Sequence, residues 1–539
     1  MEIRRRKHWG WGFEDQQPSA AALKAMASGP LANLGIALSE PEAPVGLEQL
    51  RLRAPRVAVP SALSQICASD DHVRACHALG KSYSDVVRGF RGRFEHPPDF
   101  VAFPRGAQDV ELVLEWCSDE RVAAIPYGGG TSVVGGVTPE TAPSYNGAIS
   151  IDLRALDRVL EVDEVSRAAL IQAGALGPGL EAQLAEHSLT LRHFPQSFEF
   201  STLGGWIATR AAGHFATVWT HIEDFVESVS AITPAGVWAS RRLPGSGAGV
   251  SPDRMLAGSE GTLGLITEAW VRVQPRPSHR RGTGVRFESF PQGAECVRAI
   301  SQSGLNPANC RLLDAAEAQM TMAGDGSSAL LVLGFESSDH PVEQAMTRAL
   351  ELCQEHGGES GESGESRGSG GSGRSDAVSS WREAFLGAPY VRDALVAMGV
   401  LGETFETAIT WERFGAFHER VSAAAEEAVR LQADGTGTGR VFCRITHVYP
   451  DGPAPYFTVL APARRGEEVE QWAAIKRAVS EAIISEGGTI THHHAVGRDH
   501  RPWYDRQRPE PFAEALRAAK VAIDPAAIMN PGVLIDPLP

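Results

Sequence analysis

The sequence predicts an α+β protein of several domains, and three observations lead to that class. A glycine-rich stretch, Tyr127 to Gly136, follows an apolar run that reads as a strand. Beyond it, GAISIDLRAL and ALIQAGAL are short β-rich runs without the regular strand–helix alternation of a nucleotide-binding Rossmann sheet. The length, 539 residues, exceeds what one core sustains, so two to four domains are expected.

Residues 1–45 read as an irregular Trp- and Pro-rich arm, with the basic run Arg4, Arg5, Arg6, Lys7 as a solvated tail. Short helices are expected from Pro44 to Leu79, one of them starting at Pro60-Ser61, and residues 1–93 form this N-terminal region. A domain over 94–278 opens with an extended piece from Phe100 to Phe103. A helix follows from Ala107 to Cys117, with Val110, Leu112, Val113 and Trp116 on one face. AAIPYGGG is a strand entering a turn, and VLEVDEVSRA separates the two β-rich runs after it. Composition changes past Pro275-Arg276-Pro277, which places a second domain over 279–495. Inside it, 356–375 (HGGESGESGESRGSGGSGRS) lacks any aliphatic residue and cannot offset its ordering entropy, so a flexible surface loop is expected. Residues 496–539 return to helix and turn, ending in IMNPGVL.

Bulk composition removes several function classes. Hydrophobic residues at 43% and charged residues at 22% describe an ordinary globular chain. A formal charge of −16 without any basic cluster beyond Arg4–Lys7 argues against a nucleic-acid partner. The seven cysteines are scattered with no CxxC spacing, which indicates neither a disulfide framework nor a zinc knuckle. No signal-like h-region, peroxisomal tripeptide or long apolar run occurs, so a cytoplasmic protein with at most peripheral membrane contact is expected. The oligomeric state is left open, with a homodimer among the options.

The chemistry begins at AIPYGGGTSVVGGV. Gly128, Gly129 and Gly130 let the backbone adopt positive φ and come close to a ligand, and consecutive exposed N–H groups make an anion nest. The spacing is neither GxGxxG nor a Walker loop, so the stretch alone is a turn or a generic anion site. Two more clusters sharpen it: PQSFEFSTLGGWIATRAAGH (195–214) and GSEGTLGLITEAWVRV (258–273). Three Gly/Ser/Thr clusters beside apolar runs imply backbone following an extended polar ligand along its length.

In this order and spacing the three segments resemble the FAD domain of the vanillyl-alcohol-oxidase-type flavoproteins, and more narrowly the alkyldihydroxyacetonephosphate synthase family. The arm KHWGWGFED resembles that family's opening as well. The resemblance implies a two-subdomain FAD-binding domain plus an α+β cap that binds substrate, with the C-terminal segment returning to the FAD domain. It implies that Pro126, Tyr127, Gly128, Gly129, Gly130, Thr131, Ser132 and Val133 cradle the diphosphate. Gln196, Ser197, Ser201, Thr202, Gly205, Thr209, Arg210 and Gly213 would line the flavin, and Glu260, Gly261, Thr262 and Leu263 its ribityl and ring end. Gln196 stands where the family has Asp and Ala212 where it has Ser; no His lies in the glycine loop, so a non-covalent FAD is expected.

THHHAVG (491–497) is the conspicuous constellation of the second domain. In an extended strand His492 and His494 would share a face with His493 opposite, and the imidazoles suit either a metal or proton transfer. The resemblance favours proton transfer and no metal, although Ala495 replaces a family Gly. In CRITHVYPDGPAPYFTV, His447 lacks the second histidine that related 2-hydroxy-acid dehydrogenases use for a metal, and Tyr456 matches an active-site tyrosine of the synthases. Arg311 and Arg392 sit among apolar neighbours, where a guanidinium needs an anionic partner. By resemblance they would hold the phosphate of a lipid-like ester, acyl-dihydroxyacetone phosphate. A fatty alcohol would then replace the acyl group through an adduct at flavin N5. The competing reading is an FAD-dependent oxidase or dehydrogenase of a 2-hydroxy acid or alcohol.

Overall fold

A computed structural model describes residues 4–28, 36, 38–215, 217–360, 377–433 and 439–536. The first sheet holds β1 (Cys67–Ala68), β2 (Val101–Ala102), β3 (Val122–Tyr127) and β4 (Gly147–Asp152) in the order β1–β2–β4–β3. β2, β4 and β3 are mutually parallel, with the Ala107–Asp119 helix crossing from β2 to β3. This subdomain contains one parallel βαβ unit, and the strand–helix alternation does not continue beyond it, as expected of short strands outside a Rossmann sheet. Its strands are buried almost throughout, as parallel strands are, and Pro126 is tolerated because β3 is the edge. The C-terminal segment covers that edge: Ala124 N–H donates to Ile528 O (2.8 Å) and Asn530 N–H to Ala124 O (2.9 Å).

The second sheet takes β5 (Val159–Asp163) and β6 (Ala168–Gln172), while β7 (Leu189–Thr190) pairs elsewhere; β8 (Val226–Thr233), β9 (Gly236–Ala239) and β10 (Leu265–Arg272) complete it. Its order is β5–β6–β10–β8–β9, all antiparallel. The presumed separator VLEVDEVSRA is therefore itself half of a hairpin. β11 (Gln274–Pro275) pairs with β7 and ends this part of the chain.

The third sheet comprises β12 (His279–Phe287), β13 (Asn309–Leu313), β14 (Ala329–Ser337), β15 (Glu359–Ser360), β16 (Val400–Glu406), β17 (Arg440–Val448) and β18 (Pro453–Pro462), ordered β15–β12–β14–β13–β17–β18–β16. One face carries the largest core, closed by the Phe290–Gln302, Trp411–Gln432 and Glu468–Ser485 helices; the other face lines the site. Apart from the end at 356–360, the expected loop at 356–375 lies outside the described residues.

The arm departs most from expectation. It contains a helix, Ala20–Ser28, and Trp9 and Trp11 are buried. The basic run is solvated only at Arg4 and Arg5, and Arg6 and Lys7 turn inward. Lys7 forms a buried ion pair with Asp393 (2.5 Å), and Arg6 Nη1 donates to Gly129 O (2.8 Å). Apolar contacts of Trp9 against Phe90 hold the run in place, which composition alone does not reveal.

Candidate active site

A cavity of about 810 Å³ runs between the first two sheets and the third. At one end lies the Gly128–Gly130 turn. A Cβ on Gly129 would stand 1.7 Å from Phe200 O, and Gly130 has φ +70°, so only glycine closes this turn. Backbone N–H groups from Gly129 through Val133 donate to no acceptor among the described residues, although Gly129 and Gly130 are buried and Thr131 to Val133 half-buried. Five such donors facing a cavity are the donor set a diphosphate requires, so the residues fit FAD. Arg6 braces the loop from the arm and Lys81 N–H from below, donating to Ser132 O (2.6 Å).

Of the expected cofactor residues, Pro126 through Val133, Gln196, Ser197, Ser201, Thr202, Gly205, Thr209, Gly213, Glu260 and Gly261 line the cavity. Arg210, Thr262 and Leu263 do not. Arg210 caps the Leu203–Thr209 helix in the left-handed region and pairs with Glu223 (2.6 Å). Thr262 turns inward, its hydroxyl on Ser259 O (2.7 Å), and Leu263 is core.

Across the cavity, strand register gathers the other groups. Glu406 lies opposite Tyr456, Tyr456 opposite Arg444, and Arg444 opposite Leu313, so Glu406, Tyr456, Arg444 and Arg311 share one face. Arg444 Cζ sits 3.8 Å from the Tyr456 ring centre, and its guanidinium pairs with buried Glu317. Burial raises the Tyr456 phenol, an effect Arg444 opposes. Arg311 is 1% exposed and lies 4.5 Å from the Trp381 ring centre, with Nη2 on His214 O (2.6 Å). Its Nε and Nη1 have no partner among the described residues, and burial lowers it to about 9. Arg392, on the Ala377–Ala397 helix, lines the cavity and donates to Lys81 O (3.0 Å).

The histidine run is a loop, not a strand, which corrects the expected alternation of faces. Glu406 accepts the backbone N–H groups of His492, His493 (2.9 Å) and His494 (2.8 Å); Glu260 accepts those of Val496 (2.9 Å) and Gly497 (2.8 Å). Ala495 sits between them at φ +72°, where glycine is at ease and alanine strained. So held, His493 and His494 reach the cavity, while His492 lies behind them. Burial holds His447, His492, His493 and His494 below the imidazole range, the last at about 3, and pushes Glu406 and Glu260 up to about 7. Nitrogens of His447, His492 and His493 approach within 4.8 Å of one another, close enough for a metal. They are already engaged, however, with His447 Nε2 on Gly213 O (2.9 Å) and His492 Nδ1 on His493 Nδ1 (2.9 Å).

Sequence reasoning missed Glu406, Glu317 and Arg444. Each is a charge inside an otherwise apolar strand or helix turn, and that pattern is the signal that points to them.

Fold and site define an FAD-dependent enzyme with a cofactor domain and a cap. Residues 98–240 match the FAD binding domain family, and residues 276–534 match the C-terminal domain of FAD linked oxidases. The chain is 30% identical over 492 residues to alkyldihydroxyacetonephosphate synthase of Trypanosoma brucei brucei, covering 86% of this chain and 78% of the relative. A solved alkyldihydroxyacetonephosphate synthase superposes with TM-score 0.79 at 25% identity, covering 97% of both chains. Glycolate oxidase subunit GlcD of Bacillus subtilis is 26% identical, covering 82% of this chain and 89% of the relative. The chain belongs to the alkyldihydroxyacetonephosphate synthase family, and FAD is its cofactor.

Proposed function

We propose that the protein is an ether-lipid synthase that replaces the acyl group of acyl-dihydroxyacetone phosphate with a fatty alcohol. The observation that carries this reading is Arg311, a buried guanidinium with two unpartnered nitrogens, in one cavity with neutral histidines and Tyr456. Such a cation calls for an anionic ligand, and Arg392 on the same cavity supplies a second positive charge suited to a phosphate. Arg311 and Arg392 hold the phosphate, and His493 with Tyr456 moves a proton at C1. Cavity walls at Met26, Leu395 and Leu460 accept the aliphatic chain. FAD, held non-covalently on the glycine loop, supplies an electrophilic centre with no net change of redox state.

The oxidase or dehydrogenase reading is weaker, because Ala454 and Tyr456 stand where a second metal-ligating histidine would be needed near His447. We divide the chain at 93, 278 and 495 and place it in the cytoplasm. Among the described residues no helix is long and apolar enough to cross a membrane. The test is incubation of the FAD-loaded protein with acyl-dihydroxyacetone phosphate and labelled long-chain alcohol. Alkyl product supports the reading; no product together with flavin reduction by a 2-hydroxy acid overturns it.

A further inference from the structure

His493 reaches the cavity by one edge of its ring, and its Nδ1 lies 2.9 Å from Nδ1 of His492. From there a single file of contacts leads away. His492 Nε2 is 2.7 Å from the Tyr449 hydroxyl, which is 2.9 Å from the Thr220 hydroxyl, which is 3.2 Å from His221 Nδ1. His221 Nε2 closes the file on the backbone carbonyl of His492, at 2.9 Å.

That carbonyl determines where every proton sits. A carbonyl only accepts, so His221 carries its proton on Nε2 and accepts through Nδ1. The imidazoles are neutral, since burial holds His221, His492 and His493 below their usual range. Thr220 therefore donates to His221, Tyr449 to Thr220, His492 Nε2–H to Tyr449, and His493 Nδ1–H to His492 Nδ1. The Nδ1 proton of His493 also points toward Glu406, 3.4 Å away. What remains on His493 is a lone pair on Nε2, which has no hydrogen-bond partner among the described residues.

We propose that His221, Thr220 and Tyr449, acting through His492, form a directional hydrogen-bond chain that makes His493 the base at the cavity wall and carries away the proton it takes. The identity of that proton, the one at C1, rests on the ether-synthase reading. The C1–H bond breaks, its electron pair stays on carbon, and N–H forms at His493 Nε2. The Nδ1 proton of His493 moves to His492 Nδ1, the Nε2 proton of His492 to Tyr449, that of Tyr449 to Thr220, and that of Thr220 to His221 Nδ1. One proton has moved to the half-buried imidazole of His221, where burial disfavours the charge and the bond to His492 O, Glu223 and Asp224 offset part of that cost, and the reverse hops return it. His447 is no part of the chain: it stacks on His492 at 5.0 Å and donates to Gly213 O. Tyr449, Thr220 and His221 are thus positioning residues, and His493 is the catalytic one.

Two measurements test the chain on the FAD-loaded protein. Nitrogen NMR of histidine-labelled enzyme, assigned with single His→Gln variants, reads the tautomers without substrate. The expected forms are Nδ1–H at His493 and Nε2–H at His492 and His221. Tyr449→Phe should lose the His492–Tyr449 coupling while the flavin spectrum stays unchanged. In the same variant, and in Thr220→Val, kcat and exchange of the C1 hydrogen with solvent should fall together by ~100-fold with KM nearly constant. Nε2–H at His493, an equivalent of transition metal bound by these histidines, or a Tyr449→Phe variant with full C1 exchange would each overturn the proposal. If the unaltered enzyme makes no alkyl product, the ether-synthase reading fails, while the tautomers still decide the chain.

Discussion

Replacing Arg311 with methionine should make the ligand-free protein more stable and the enzyme useless. The side chain is 1% exposed, no carboxylate faces it among the described residues, and its proton affinity drops to about 9. A tenfold change in proton affinity is worth ~1.4 kcal/mol, so the buried charge costs the fold on the order of 5 kcal/mol. Contacts with Trp381 and Phe385 return ~1–2 kcal/mol of that, and the bond to His214 O about 1 kcal/mol. Methionine fills most of the volume without the charge, so the net gain expected is ~2–3 kcal/mol, an apparent melting shift of about +2 to +3 °C for a chain of this length. Phosphate binding should suffer oppositely, by ~2–5 kcal/mol, or roughly 30- to 5000-fold in affinity. The assay is thermal unfolding of the FAD-loaded protein with and without dihydroxyacetone phosphate. At a hundred times its dissociation constant the ligand stabilises the natural protein by ~2.7 kcal/mol, and the variant should gain ~0.9 kcal/mol or less. A variant that melts lower and keeps its ligand shift would refute both the unpaired charge and the phosphate role.

Gly129→Ala should abolish FAD binding, read from flavin absorbance of the purified protein, because its Cβ would stand 1.7 Å from Phe200 O. Lys7→Ala should destabilise by ~3–5 kcal/mol in thermal or urea unfolding, since it strands the Asp393 carboxylate, whereas Lys7→Met with Asp393→Asn should recover most of the loss. Ala495→Gly should be neutral or stabilising by up to ~1 kcal/mol at φ +72°, with kcat unchanged; a destabilised variant would contradict the left-handed backbone there. Stability should rise from acid pH and level off above about pH 7. The histidines of the cluster have lowered affinity for protons, so the stability they contribute is present above the ordinary imidazole range and is lost progressively as pH falls below about 6.5. Glu406 and Glu260 are raised to about 7, so theirs is present below the ordinary carboxylate range and is gone once pH has climbed through 7; it offsets part of the histidine slope and adds none above 7. Unfolding midpoints measured from pH 5.5 to 8.5 check this, and midpoints that fall steadily from pH 5.5 to 7 would contradict it.

What the sequence made legible is what local rules enforce. The Ala107–Asp119 helix shows its apolar stripe at Val110 and Val113, although Leu112, expected on that face, is exposed and Leu114 and Cys117 are buried instead; the Tyr127–Gly136 turn shows itself because close backbone approach tolerates only glycine. The arm was misread because its basic run is placed by a partner 386 residues away, and no local pattern encodes Asp393. The histidine run was misread as a strand for a similar reason. Its backbone donors are satisfied by two carboxylates, one from a strand some ninety residues before it and one from a turn in the cofactor half. Arg210, Thr262 and Leu263 were assigned by their neighbours in a motif, and a motif does not say which of its residues turn inward.

Those two carboxylates also explain why the active loop exists only in the assembled fold. Glu406 arrives on β16 in register with Tyr456 and Arg444, so it belongs to the wall that meets substrate. Glu260 arrives from the glycine-rich turn beside the cofactor cradle, itself at φ +50°. Five of six consecutive residues, 492–497, give their backbone N–H groups to this pair, and the sixth, Ala495, takes the strained backbone between the two grips. A buried carboxylate is costly alone, and two or three donated N–H groups offset that cost only when the loop is in place. The loop therefore cannot set its histidines before both halves have closed on it. Cofactor turn, substrate wall and proton-transfer groups then share one mechanical constraint, so a substitution at Glu406 should move the histidine tautomers with the flavin spectrum unchanged, whereas one at Glu260 should disturb the flavin as well.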